Sequence, residues 1–438
     1  MYGILSKSVK IFLYQEKAEK FFLHVNRFLN DSSVNNRQTF YKEGKAVKKK
    51  FCSLCVFILL FLCYSVSGAD YITPNDSSTY TLSDIETLCL GTTISGGPTS
   101  FTLSGKLTIA PNATLQIQAG EKLLAETSPD SIGHAIVVQG AIQVNGTSGN
   151  RALLGSHDEK PGDWRGIFLR SDLSRTNSIE YADIEYASTG ISVMGGAANN
   201  IRHCILTQCH YTGVHVAPGY NANIEYNQIN PWFFGSGVTI DAASGALVTT
   251  NTITGGAVGF SSSSSDASTL ILDNQTSCSL SGLASLGNDL AAFEGNLVKW
   301  GFLGSTVYNQ ASSDFFGNEF QGQYSSGVAI VNNASPKFRD NNFLNSVSLG
   351  GVFFDDEAAP DLGGEYDPGL NLFSGNQNWD IVNFTPADHY VLGNDWSVEP
   401  PDSVSYDDEE DAGDADGNGV TSGRIITSLA TVAQWMLY

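Results

Sequence analysis

The chain has 438 residues, is 42% hydrophobic and 11% aromatic, and carries a formal net charge of −22. That composition excludes a disordered chain. Residues 1–50 hold eleven Lys/Arg and four Asp/Glu, leaving 12 and 41 for the remainder, a net −29 that repels nucleic acid and anionic lipid and suits cations.

Lys48-Lys49-Lys50 precede an apolar run from Phe51 to Val66, followed by Ser67-Gly68-Ala69. This order of charged, apolar and small-residue segments predicts a signal peptide over 47–69, too short in its apolar part for a membrane span. Residues 1–46 are far too long for its charged region. They read as an extension preceding a true start at Val47, or as a basic cytoplasmic tail before a signal-anchor. No stable membrane span is expected after signal cleavage.

Residues 70–100 read as an N-terminal leader and cap, punctuated by Pro74, Gly96, Gly97 and Pro98. Strands are predicted from Phe101 onward. Leu107–Ile109 and Leu115–Ile117 alternate with period two around a turn at Pro111-Asn112. Ile136–Val138 and Ile142–Val144 repeat the pattern, and Ile167–Leu169 resumes it after a longer turn through Trp164.

From Ile179 to Phe354 a unit of 22 to 24 residues recurs. One landmark falls at Ala182, Cys204, Asn227, Asn251, Asn274, Asn296, Asn318 and Asn341. A second falls at Gly190, Gly213, Gly237, Gly259, Gly282, Gly304, Gly327 and Gly351. No unit holds ten residues of helical period, which excludes leucine-rich and helical repeats, and the unit is too short for a propeller blade. Three short strands in about 22 residues make one coil of a parallel β-helix, with like positions stacked ~4.8 Å apart. On this reading the Asn residues form an internal hydrogen-bonded ladder. The Gly residues are expected to supply positive φ at a tight corner. The predicted fold is all-β, a right-handed parallel β-helix of about 12 coils over 101–400, with an acidic tail over 401–438.

The units Ile224-Glu-Tyr-Asn-Gln-Ile229 and Phe315-Phe-Gly-Asn-Glu-Phe320 resemble rungs of right-handed parallel β-helix repeat proteins of the pectate-lyase-like superfamily. The stretch from Gly146-Thr to Trp164-Arg-Gly-Ile167 is similar to an early rung of secreted bacterial members. Pro360-Asp-Leu-Gly-Gly364, Phe373-Ser-Gly-Asn376 and Asn394-Asp-Trp396 resemble their closing coil. The resemblance implies the fold. It implies little about activity, because the superfamily holds lyases, hydrolases, epimerases, adhesins and non-enzymes.

Enzymes of this fold use one sheet face. The outward residues after the Gly landmarks read Ser192, His215, Thr239, Ser261, Ala284, Thr306, Ala329 and Phe353, with no carboxylate, Lys or Arg. A carboxylate pair for glycoside hydrolysis is missing from that row. Motifs of the catalytic relatives are also read as absent: neither a paired-aspartate motif with Gly-His-Gly nor an Arg-x-x-x-x-Arg of the pectate-lyase kind is expected. A second row reads Glu180, Arg202, Glu225, Thr249, Leu272, Glu294, Phe316 and Arg339. It is a charge ladder on a solvated face, or, with His203, a catalytic group formed by Glu180, Arg202 and Glu225. His215, Tyr211, Tyr220 and Trp232 are the candidate ligand-binding residues, with Tyr186 and Phe233 as further loop-side aromatics.

Cys89, Cys204, Cys209 and Cys278 follow the signal, and a Cys204–Cys209 bridge and buried free thiols both stay open. In the tail, Asp414, Asp416 and Asn418 have the one-three-five spacing of a Ca²⁺ loop, but the twelfth position is Ile425 rather than Glu. A solvated loop leading to a last strand, Arg424-Ile-Ile426, is the alternative, and the stretch from Ile425 to Leu437 gives one possible helix. No cofactor other than Ca²⁺ is expected. The functional reading is a secreted or cell-surface, non-catalytic binding or structural module, with a polysaccharide or cell-surface glycan as partner. Its alternatives are a polysaccharide lyase or glycoside hydrolase using residues 180–240, and an adhesin or rod-like spacer.

Overall fold

Three β-strands per coil recur along the chain in the computed structural model, which describes residues 69–126, 133–172, 174–398, 405–407 and 424–427. Strands pair in parallel with their counterparts in the next coil, building sheets of 14, 13 and 11 strands among the described residues, with one antiparallel pair, Ile94–Gly96 with Ser100–Leu103, opening the 13-stranded sheet. We call the 14-stranded sheet sheet I, the 11-stranded sheet sheet II and the 13-stranded sheet sheet III. Within a coil the chain passes through I, II and III in turn: Thr189–Val193, Ala198–Arg202 and Ile205–Thr207 form one such coil. The protein is thus an all-β parallel β-helix. The expected signal segment, apart from Ala69, and the Asp414, Asp416 and Asn418 set lie outside the described residues.

The coil begins earlier than the leader reading suggests. Tyr71–Ile72 already pairs in parallel with Lys106–Ile109, and Thr79–Thr81 with Thr114–Gln118. Between them and Ile94–Gly96 runs a helix, Leu82–Leu88, opened by a capping box in which Thr81 and Asp84 bond each other's backbone N–H. Its Leu82 and Ile85 are fully buried and join the core.

Inside the coils, like residues stack on like. On sheet II the inward column runs Ile179, Ile201, Ile224, Val248, Ile271, Phe293, Phe315 and Phe338, each in register with the next. The aliphatic half gives way to phenylalanines whose rings stack 4.7 Å apart at Phe293–Phe315 and 4.8 Å at Phe315–Phe338. A second stack on sheet III joins Phe320, Phe343, Phe373 and Trp396.

At the corner between sheets II and III the Asn landmarks point inward. Each accepts through Oδ1 from the backbone N–H of the coil before it, as Asn274 does from Asn251 N at 2.9 Å. Each then donates through Nδ2 to the next, as Asn274 does to Asn296 Oδ1 at 3.0 Å. The series runs through Asn227, Asn251, Asn274, Asn296, Asn318 and Asn341, and continues to Asn371 and Asn394. Cys204 opens it only through its backbone N–H, bonded to Asn227 Oδ1 at 2.8 Å.

The Gly landmarks have a different cause from the expected one. None of the eight has positive φ. A left-handed residue stands instead directly before each first-landmark position, as at Tyr181, His203, Tyr226, Thr250, Asp273 and Asp340. The glycines are required by close approach instead. A Cβ on Gly237 would meet Ile253 Cδ1 at 2.2 Å, and one on Gly304 would meet Phe320 Cδ1 at 2.7 Å. All four described cysteines are buried and free, so Cys204 and Cys209 are not bridged. Among the described residues no helix is long and apolar enough to cross a membrane.

Candidate functional site

The outer face of sheet I carries the row Ser192, His215, Thr239, Ser261, Ala284, Thr306, Ala329 and Phe353 in continuous register. Strand alternation dictates this, since the residues between them fill the core. The face is not free of charge. Two residues beyond Thr239 on the same strand, and hence on the same face, Asp241 places Oδ2 2.9 Å from Nε2 of His215. The carboxylate orients the imidazole by holding one ring nitrogen.

Toward the first coils the same row continues through Phe168, paired with Ser192. The Arg165 and Arg170 guanidinium carbons sit 5.1 and 5.7 Å from the Phe168 ring centre, and both arginines are exposed. These two arginines have the Arg-x-x-x-x-Arg spacing, so the expected lack of that motif holds only from Ile179 onward. Sequence reasoning missed them because the row was read only where the repeat is regular. The alternation of Ile167-Phe168-Leu169 was the signal that places Phe168 outward.

One corner, where sheet III leads into sheet I, carries exposed aromatic rings. His210 stacks on Trp232 at 4.7 Å, Tyr211 meets the edge of His210 at 4.6 Å, and Phe234 contacts both Trp232 and Phe233. Tyr211, Phe233 and Phe234 are 66, 62 and 71% exposed, far more than rings recruited to cap a core. Further along the corner Trp300, Phe302 and Tyr324 are also exposed. Tyr186, one coil before Tyr211, lies on the same corner but is only partly exposed. Tyr220 does not join this group. It follows the strand Thr212–Val216 whereas Tyr211 precedes it, so the two stand at opposite edges of sheet I, and Tyr220 packs against the core.

The second row is equally continuous on sheet II, pairing Glu180 with Arg202 and Arg202 with Glu225. Arg202 Nε lies 2.9 Å from Glu225 Oε2, and Glu180 Oε1 accepts from Ser178 Oγ at 3.1 Å. His203 is turned onto the next corner, sandwiched between the rings of Tyr181 at 4.6 Å and Tyr226 at 5.1 Å. The four residues are neighbours: Arg202, Glu225 and His203 engage residues of adjacent coils, and Glu180 engages Ser178 of its own strand.

A groove of about 360 Å³ lies at the corner from sheet I to sheet II, lined by Ser264, Gly287, Asn288, Asn309, Gln310, Asn332 and Asn333. Among the described residues no group of three or more His, Cys, Asp or Glu is placed to hold a metal ion. Burial pushes the thiols of Cys204 and Cys209 up to about 12, so neither is a ready metal ligand.

A pectate-lyase-like β-helix domain model matches residues 92–246, and a model described as periplasmic copper-binding protein (NosD) matches residues 232–410. A double-mutant form of the periplasmic alginate epimerase AlgG is similar at 14% identity, over 82% of this chain and 85% of that one, with a TM-score of 0.53. A single-mutant form of the same epimerase is similar at 13% identity, with the same coverage and TM-score. At such identities the likeness is one of fold. No curated protein matches the sequence. The coils, the stacked columns and the matched domain together define the class: the chain is a parallel β-helix repeat protein whose residues 92–246 match the pectate-lyase-like β-helix domain. The copper named in one matched description has no fitting set of ligands among the described residues.

Proposed function

We propose that this protein is a secreted or cell-surface, non-catalytic module that binds a polysaccharide or cell-surface glycan along sheet I. The observation that carries the reading is the row of rings formed by the exposed Tyr211, Phe233 and Phe234 with the half-buried Trp232, beside a sheet face rich in Ser and Thr. Aromatic rings give apolar area for the C–H faces of sugars at low entropic cost, and hydroxyls orient their polar groups. Arg165 and Arg170 beside Phe168 add two permanent donors that suit a carboxylate-bearing sugar on an otherwise acidic protein. The descriptions of the AlgG and NosD relatives, both periplasmic, support a location outside the cytoplasm.

A second reading, as a lyase or hydrolase, rests on the oriented His215–Asp241 pair. One experiment separates the two. The purified chain is incubated with neutral and uronate polysaccharides, with and without Ca²⁺, and both binding and products are followed. Retention on at least one polysaccharide, weakened at least tenfold by Tyr211→Ala with Trp232→Ala and without new products, is the expected result. New reducing ends or unsaturated products, abolished by His215→Ala, establish the enzyme instead. Binding to no glycan leaves the spacer reading.

A further inference from the structure

We infer that the groove at the corner from sheet I to sheet II is a second glycan site, selective for a neutral oligosaccharide. It is separated from the aromatic corner by the width of sheet I, and its chemistry is different. Its walls come from four successive coils: Ser264 from one, Gly287 and Asn288 from the next, Asn309 and Gln310 from the third, Asn332 and Asn333 from the fourth. At ~4.8 Å per coil they span a length on the order of 14 Å, matched to a short oligosaccharide rather than a single sugar. None of these residues is charged, although the chain beyond residue 50 carries a net −29.

Amide side chains offer a donor and an acceptor side by side, which is the pattern that adjacent sugar hydroxyls require. The sheet face changes character at the same place. The outer column two residues beyond the His215 row is polar at Asp241 and Ser263, then apolar at Leu286, Tyr308 and Val331. Tyr308 is 40% exposed and directly precedes Asn309. A pyranose laid on this apolar strip would turn its hydroxyls toward the amides. An ionic ligand finds no cation there, and the carboxylate of Glu357, which accepts from Asn333 Nδ2 at 2.6 Å, stands at the far end.

The groove is held in shape from both sides. Asn332 Nδ2 donates to Asn309 Oδ1 across the coils. Beneath Asn288, the buried Asp289 accepts from Ser262 Oγ at 2.8 Å, Ser265 N at 2.9 Å, Ser285 Oγ at 2.9 Å and Ser313 Oγ at 3.1 Å. Asn309, Gln310, Asn332 and Asn333 all have φ near +60°. Glycine is the residue of least strain there, and Gly287 takes that position one coil earlier. Glycine at these positions therefore keeps the backbone dihedrals, and the melting temperature reports whether loss of the Asn332–Asn309 bond disturbs the coils.

The test titrates the full chain with cellotetraose, mannotetraose and maltotetraose, and with tetragalacturonate. It uses the wild type, the Asn309→Gly with Asn332→Gly variant, and the Tyr211→Ala with Trp232→Ala variant. At least one neutral tetraose is expected to bind. That binding is expected to weaken at least tenfold in the glycine variant, with its melting temperature preserved, to persist in the aromatic variant, and to resist competition by tetragalacturonate. The inference is overturned if no neutral tetraose binds, if the glycine variant binds as the wild type does, or if tetragalacturonate competes. Loss in the aromatic variant alone also overturns it, while leaving the proposed sheet I function standing.

Discussion

Gly237 and Ile253 approach so closely that a Cβ on the glycine would lie 2.2 Å from the isoleucine Cδ1. The corner that joins sheet III to sheet I therefore closes only because the glycine has no side chain. Gly237→Ala is expected to destabilise the protein by about 1–3 kcal/mol, the range of overpacked cores. Ile253→Ala in that background should cost less than it does alone, because it opens the space the new methyl needs. A double-mutant cycle read by urea unfolding checks this; additive costs would refute the packing explanation.

The Asn ladder makes a separate expectation. Asn274→Ala removes the acceptor for Asn251 N and the donor to Val248 O, both buried. Leaving those groups unpaired should cost about 2–4 kcal/mol. Asn394, near the last described coil and half-buried, should cost less when replaced by Ala. Equal losses at the two positions would argue against a cooperative ladder.

Two carboxylates should respond to pH in opposite directions. The Arg339 and Lys337 side chains beside Asp367 hold its carboxyl well below the usual range. Its contribution to stability is present above the unfolded value of ~3.9 and is lost as pH falls through the lower folded value. Burial raises the carboxyl of Asp289, outweighing its four hydrogen-bond donors. In the window above ~3.9 and up to that raised value the folded state binds more protons, so stability falls as pH rises. Melting temperatures from neutral to acid pH test both. Relative to wild type, Asp367→Asn should lose acid sensitivity, and Asp289→Asn should lose the stabilisation that mild acid brings.

Arg202 and Glu225 should behave as a stacked surface pair. Their side chains are 38 and 16% exposed, and a coupling energy of roughly 0.2–1 kcal/mol is expected from a double-mutant cycle. Alanine at either position should leave glycan binding unchanged. A large binding loss would return the row to the functional site.

Much of this was legible in the sequence because a solenoid stacks like on like. Once the period was known, the rows through His215 and through Arg202 followed from counting. The reason for the glycines was not legible. Close approach and positive φ leave the same residue behind, and only the dihedrals separate them. The left-handed corner itself left no signature, since Tyr181, Thr250 and Asp273 occupy it as readily as Gly295. The part of the coil before Phe101 was missed because its strands are short and broken by a helix, although Thr81-Leu-Ser-Asp84 carries a capping-box pattern. Tyr220 was grouped with Tyr211 by nearness in sequence, although the strand Thr212–Val216 separates them.

The most direct test of the central claim is the binding of the purified chain to a polysaccharide panel, with product analysis of the same samples. The expected result is saturable binding to at least one polysaccharide, weakened at least tenfold by Tyr211→Ala with Trp232→Ala, and no new reducing ends or unsaturated products. No binding across the panel, or product formation that depends on His215, would contradict it.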